Sequence, residues 1–216
     1  GCDLVEELTL AAPLTLPEQG AVDLRAVVGA ADPDGARTLT IHSRPEHALA
    51  EEPWTTHATG ALRQATVRTA ESGFDAVVWP PTGAEPLAMD GFYDDMAAAG
   101  LLYGPLFQGL RAAWRGTDGE VFAEVALPGD TGATEFGIHP ALLDAALHGT
   151  GFSDLVAADG RARLPFSWQG VSLYATGASV LRVRITAVGP DTIALAVSDE
   201  TGAPVAAVEA LDFRSV

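Results

Sequence analysis

One pair of residues in this chain has the types and spacing for acid–base chemistry. In the run His139-Pro140-Ala141-Leu142-Leu143-Asp144-Ala145-Ala146-Leu147-His148, Asp144 and His148 stand four residues apart. On a helix that spacing puts both side chains on one face, close enough to hydrogen-bond. Leu143, Ala145, Ala146 and Leu147 are all apolar, so the pair is expected to face an apolar space. Desolvation there would raise the pKa of the carboxyl group, as a general acid near neutral pH requires. Two other readings of these residues stay open. The pair could be a helix cap or a solvated surface contact. His139 could join Asp144 and His148 around a metal, although a five-residue step turns His139 off the shared face.

Two further stretches could shape a binding site. In Gly100-Leu101-Leu102-Tyr103-Gly104-Pro105-Leu106-Phe107, a Gly-Pro step between two aromatics fixes a rigid turn. Its glycines let a ligand approach the backbone closely. In Leu164-Pro165-Phe166-Ser167-Trp168, a proline and two aromatics open a strand and could line a tunnel. Taken singly, each stretch fits core packing as well as it fits a site.

The elements that must hold these residues are mostly strands. Apolar and charged residues alternate in Val22-Asp23-Leu24-Arg25-Ala26, and residues 37–42 repeat the pattern with Leu39 and Ile41 on one face. The chain's first residues and residues 53–62 also read as strands. The breaker cluster Pro80-Pro81-Thr82-Gly83, continuing to Pro86, reads as a linker. A short helix is expected over 90–99, capped by Asp90 and stopped by Gly100. Strands are expected over 107–114 and 121–127. The one longer helix is expected over 140–156, with Pro140 at its favoured first position. Four strands near 164–174, 180–188, 192–197 and 205–213 close the chain, and Leu181, Val183 and Ile185 oppose Arg182 and Arg184 in the half-buried manner. The expected organisation is therefore residues 1–79 as one half, 80–100 as a linker with a short helix, and 101–216 as a second half built on the long helix. The first half has no such helix of its own.

Composition narrows the partners. The chain has 216 residues, an apolar fraction of 48% and a formal charge of −17. All of its basic residues are Arg, and with abundant Ala this is the composition of a GC-rich genome. So negative a field disfavours nucleic acid and anionic membrane surfaces. With Cys2 as the only cysteine, an intrachain disulfide and a cysteine metal cluster are both excluded. No apolar run is long enough to cross a bilayer as a helix, and no signal-peptide pattern opens the chain, so the expected location is the cytoplasm.

Taken in order, the motifs are more telling. Tyr103-Gly104-Pro105-Leu106-Phe107, His139-Pro140 with Asp144-x-x-x-His148, and Leu164-Pro165-Phe166-x-Trp168 together resemble the dehydratase domains of bacterial, actinomycete-like modular type I polyketide synthases. Residues 14–17 and the run Trp54-Thr55-Thr56-His57-Ala58-x-Gly60 are similar to the same family, so the resemblance spans the chain. Leu101 departs from the family pattern, which has Tyr there, and this should alter the tunnel lining.

The resemblance implies an α+β double hotdog, in which two antiparallel sheets each wrap a helix. It implies a hydro-lyase that converts a 3-hydroxyacyl thioester into the 2-enoyl thioester during polyketide, and hence antibiotic, biosynthesis. The substrate would ride on the phosphopantetheine of an acyl carrier protein, with no other cofactor and no metal. Asp144 would be the catalytic acid and His148 its orienting partner. Tyr103, Gly104, Pro105, Phe107, Leu164, Pro165, Phe166 and Trp168 would contact substrate. The partners implied are the carrier protein and neighbouring synthase domains, and a homodimer stays open. The family's catalytic base is a His in a His-x-x-x-Gly-x-x-x-x-Pro motif, which His42, His47, His57, His139 and His148 all fail to match. The expectation is that this motif, and the first hotdog's helix with it, precede Gly1, leaving the first hotdog incomplete and the chain inactive alone. The other readings are a hotdog thioesterase, and a non-catalytic or isomerase-type relative of the dehydratases.

Overall fold

The structure, a computed structural model, describes residues 2–49, 51–65, 74–129, 131–153 and 163–215. The first half contributes β1 (Leu4–Leu10), β2 (Val22–Ala31), β3 (Arg37–Pro45) and β4 (Thr55–Arg63). Beyond it come β5 (Glu85–Pro86), the helix α1 (Phe92–Ala98), β6 (Leu110–Arg115), β7 (Val121–Ala126) and the helix α2 (Pro140–His148). The chain closes with β8 (Arg163–Leu173), β9 (Val180–Gly189), β10 (Thr192–Ser198) and β11 (Pro204–Ser215).

All these strands join one antiparallel sheet in the order β2-β3-β4-β1-β8-β11-β10-β9-β7-β6-β5. The two halves meet where β1 pairs with β8, from Leu4 opposite Ser172 to Thr9 opposite Ser167. β5 pairs with β6, so the segment after the proline cluster is stitched to the second half's sheet edge.

That second half is a hotdog, an antiparallel sheet wrapped round α2. Period-two burial drives it: Leu181, Val183 and Ile185 on β9, with Ile193, Leu195 and Val197 on β10, point inward and are buried. They close over Ala141, Leu142, Ala145 and Ala146 of α2. The helix presents mostly small residues to the sheet, and the approach is correspondingly close. A Cβ added at Gly109 would lie 2.9 Å from the Ala145 Cβ, and one at Gly149 would lie 2.6 Å from the Ile185 Cδ1.

The first half is packed differently. Leu24 is 60% exposed and Val28 52% exposed, and β2 has no buried side chain. Both α-helices among the described residues pack against the core of the other half. The alternation seen in β2 is present, but nothing described covers its apolar face.

The element ends differ from expectation at three places, each for a local reason. α2 stops at His148 and passes into a 3-10 turn, Gly149–Phe152, and not into further α-helix; residues 154–156 of the expected helix lie outside the described residues. Two glycines in this turn weaken the α-helix, and Thr150 Oγ1 donates to the Leu147 carbonyl at 2.7 Å. α1 begins at Phe92 behind Gly91, whose left-handed φ of 76° ends the preceding turn, so Asp90 is not its cap. The expected strand 107–114 begins with the 3-10 turn Pro105–Phe107, and pairing starts only at Leu110. Gly100 does stop α1: Leu101 N–H donates to the Met96 carbonyl and Gly100 N–H to that of Ala97, with Gly100 at φ 92°.

The tight seat of α2 yields a test. Gly109→Ala adds a Cβ between the Ala145 methyl and the Ala126 carbonyl, neither of which can swing away. The expected cost is about 1–3 kcal/mol, read as a lower urea midpoint with an unchanged m-value.

Candidate active site

Pro140 opens α2 with its fixed φ, and His139 caps it, its Nδ1 accepting from Ala141 N–H at 3.1 Å. His139 is buried with its ring edge-on to Phe136 at 4.8 Å between centroids. Its capping role leaves it apart from the Asp144–His148 pair, and no group of three His, Cys, Asp or Glu able to hold a metal forms among the described residues.

Asp144 and His148 do meet. His148 Nε2 lies 3.1 Å from Asp144 Oδ2, with the His148 side chain 2% exposed and that of Asp144 36% exposed. The carboxyl group is thus less desolvated than its apolar sequence neighbours implied. Ala145 and Ala146 turn into the core, while Leu143 and Leu147 border the same spaces as Asp144 on the open side of the helix. Asp144 borders two such spaces. One is a cavity of about 440 Å³ walled by Phe92 and Met96 of α1, Leu101, Tyr103, Pro165 and Phe213. The other is a shallower groove of about 400 Å³ lined by Leu10, Leu143, Leu164 and Trp168.

On the far side of His148 stands a residue the motif reading missed. Tyr93 of α1 places its hydroxyl 3.1 Å from His148 Nδ1, and the same oxygen accepts from Leu110 N–H at 2.9 Å. Burial, foremost, raises the Tyr93 pKa above the ordinary tyrosine value, so its hydroxyl keeps its proton. Tyr103 completes the cluster with its ring 4.4 Å from that of His148. Burial, and then the nearby Asp144 charge, push its pKa up to about 12.

The remaining sequence candidates divide by position. Tyr103 and Leu101 line the cavity, whereas Gly104, Pro105 and Phe107 form the exposed outer turn beside α2. Leu164 and Pro165 border both spaces, and Trp168 borders only the groove. Phe166 lines neither; the Arg214 guanidinium stacks on its ring, 3.2 Å from the centroid. Arg163, also in the cavity wall, is paired with Asp191.

A one-sided antiparallel sheet around a central helix, with a carboxyl–imidazole pair at the mouth of an apolar cavity, defines a hotdog domain with a candidate acid–base site. The sequence matches the family described as polyketide synthase dehydratase N-terminal domain over residues 71–216. It is 56% identical over 222 residues to polyketide synthase GfsA of Streptomyces halstedii, and 49% identical over 219 residues to pikromycin polyketide synthase component PikAII of Streptomyces venezuelae. Both alignments take in 100% of this chain, which spans only 3% and 6% of those relatives. Among solved structures, the dehydratase domain from the terminal module of the rifamycin polyketide synthase matches with a TM-score of 0.90 and 43% identity, over 99% of this chain and 75% of that one. The erythromycin dehydratase matches with a TM-score of 0.84 and 40% identity, over 98% and 74%. The chain belongs to the polyketide synthase dehydratase family.

The raised pKa of Tyr103 has a consequence for stability. Between its ordinary value of 10.0 and about 12, the folded state keeps a proton that the unfolded state releases. Stability must therefore fall as pH rises through that window. Tyr103→Phe is expected to flatten the fall, measured as denaturant midpoints for both proteins across those pH values.

Proposed function

We propose that this chain supplies the acid half of a site that removes water from a 3-hydroxyacyl thioester carried on the phosphopantetheine of an acyl carrier protein. The observation that carries the proposal is Asp144, a carboxyl group held by His148 at the mouth of an apolar cavity in a dehydratase-family fold. A base takes the proton beside the thioester carbonyl, and the electron pair left behind forms the C2–C3 double bond. The C3–oxygen bond breaks, and the hydroxyl leaves as water with the proton of Asp144. Proton exchange with solvent then resets both groups. Tyr103, Leu101, Leu164 and Pro165 would hold the acyl chain, and Trp168 would line the groove on the opposite side of Asp144. Gly104, Pro105 and Phe107 would act from outside by fixing the turn that sets Tyr103, and Phe166 by bracing β8.

The base is assigned to a segment outside these 216 residues. In support, the chain's own imidazoles have other partners. His57 contacts Ser43 and the Ala12 carbonyl, His42 contacts Thr40 and Thr56, and His139 caps α2. His47 sits at the surface beside Glu46, and His148 lies between Tyr93 and Asp144. The reaction needs no cofactor beyond the carrier's own arm. Carrier protein and neighbouring synthase domains are the proposed partners, in the cytoplasm, and covalent linkage would raise their effective concentration enough to tolerate weak contacts.

The test uses a 3-hydroxyacyl carrier substrate and the mass of the product. A polypeptide that joins this chain to the segment bearing the base should give a thioester lighter by one water. Asp144→Asn should slow that reaction by roughly 10²–10⁴, the usual worth of a general acid. His148→Ala should cost less, because the proton donor remains. Release of the free acid would mean hydrolysis and would overturn the reading, as would an Asp144→Asn enzyme of near-normal rate. The 216-residue chain by itself should form no alkene; if it works as fast as the longer polypeptide, the base lies within it.

A further inference from the structure

Asp144 can deliver a proton outward only if the group beside it does not hold that proton. His148 is such a group, and its behaviour depends on which ring nitrogen carries hydrogen. If Nδ1 carries it, the Nε2 lone pair faces Asp144 and takes the acid proton into an internal O–H···N bond. If Nε2 carries it, that N–H donates to Asp144 Oδ2, and the acid proton must sit on Oδ1.

The surroundings decide between the two. Leu110 N–H, fixed at the start of β6, donates to the Tyr93 hydroxyl oxygen at 2.9 Å. The tyrosine hydroxyl hydrogen is thereby turned away from the backbone, and His148 Nδ1 lies 3.1 Å from the oxygen. Neutral Tyr93 can donate there only to an unprotonated nitrogen. His148 is buried, and the ring of Phe92 packs beside it at 6.5 Å between centroids, so an unmet Nδ1 lone pair would be costly.

We propose that Tyr93 is a positioning residue: the chain Leu110 N–H to Tyr93 Oη, Tyr93 O–H to His148 Nδ1, and His148 Nε2–H to Asp144 Oδ2 fixes the imidazole tautomer and so leaves the transferable proton on Asp144 Oδ1. The proposal rests on the reading of Asp144 as the acid, but the state of the imidazole can be observed without any turnover. Tyr93 touches no reacting atom. It acts through His148, and its removal should affect the chemical step without affecting substrate binding.

The primary measurement is the ¹⁵N spectrum of the His148 ring in the full 216-residue chain, assigned by its loss in His148→Ala. Near neutral pH the ring should show a protonated Nε2 and an unprotonated Nδ1. Finding the hydrogen on Nδ1 would overturn the proposal with no variant needed. In Tyr93→Phe, which removes only the hydroxyl, the two resonances should move toward each other as the tautomers begin to exchange; unchanged resonances would also overturn it. In a polypeptide that shows dehydration, Tyr93→Phe should lower kcat by roughly three- to tenfold, the worth of one hydrogen bond, and leave KM as it was. An unchanged kcat, or a loss confined to KM, would count against the positioning role. If no polypeptide containing the chain dehydrates the substrate, the functional reading fails, and the ring spectrum still decides the tautomer.

Discussion

The close seat of α2 on its sheet is the constraint from which the rest of the site follows. Ala141, Ala145 and Ala146 turn toward the sheet, and Gly149 leaves room for Ile185 at the end of the helix. With so little side chain between helix and strands, the helix can neither roll nor slide without collision, because packed interiors have almost no spare volume. The roll angle fixes where Asp144 and His148 point. The two share one face, one turn apart, with His148 buried beneath the cavity and Asp144 part-exposed at its mouth. A helix faced with larger residues would fill the same sheet but could settle at several angles, and the carboxyl group would not be held at the cavity mouth.

A buried imidazole beside a carboxyl group could be a liability, since polar groups in a core destabilise it unless they are satisfied. Here both ring nitrogens of His148 have partners, and the tyrosine that satisfies the second is itself satisfied by a backbone donor. The polar line runs from the sheet through α1 to α2, crossing three elements. It therefore couples the chemical group to the packing of α1, a helix too short to be stable without tertiary contacts. The Gly100 stop that ends α1 also aims Leu101 and Tyr103 into the same cavity.

What could be read from the sequence was what is local. Asp144 and His148 were visible as a pair because a four-residue step fixes their relation on any helix. The strands of the second half were visible because one face of each is buried and the alternation is clean, as in Leu181, Val183 and Ile185. Tyr93 could not be found in the same way. It stands 55 residues from His148, and nothing in its own short segment marks it as more than an aromatic beside Phe92. The openness of Asp144 was also hidden, since it depends on what stands across from the helix and not on the residues either side in sequence. The Gly-Pro turn is instructive in the other direction. Its pattern announced rigidity, and the structure uses that rigidity to place Tyr103 while Gly104, Pro105 and Phe107 stay outside the cavity.

The two halves of the sheet stand in different physical situations, and the difference bears on how the site would work. Around α2 the apolar strand faces are closed, whereas Leu24 and Val28 of the first half stay largely exposed. The halves are nevertheless one sheet, joined along β1 and β8, and Leu10 at the end of β1 comes up to the groove beside Asp144. The carboxyl group thus lies between a cavity walled by α1 and the second half and a groove to which both halves contribute. The dehydration proposed above acts on two neighbouring substrate carbons, C2 losing its proton and C3 its hydroxyl, and so would need room beside Asp144 for a second group. Asp144 is carried by the closed half, and the groove on its other side reaches Leu10, next to the β1–β8 junction. That junction is secured by main-chain pairing and by Thr9 Oγ1 and Ser167 Oγ at 3.4 Å, so the positions of the two sides are linked through the backbone and need no side-chain hinge between them.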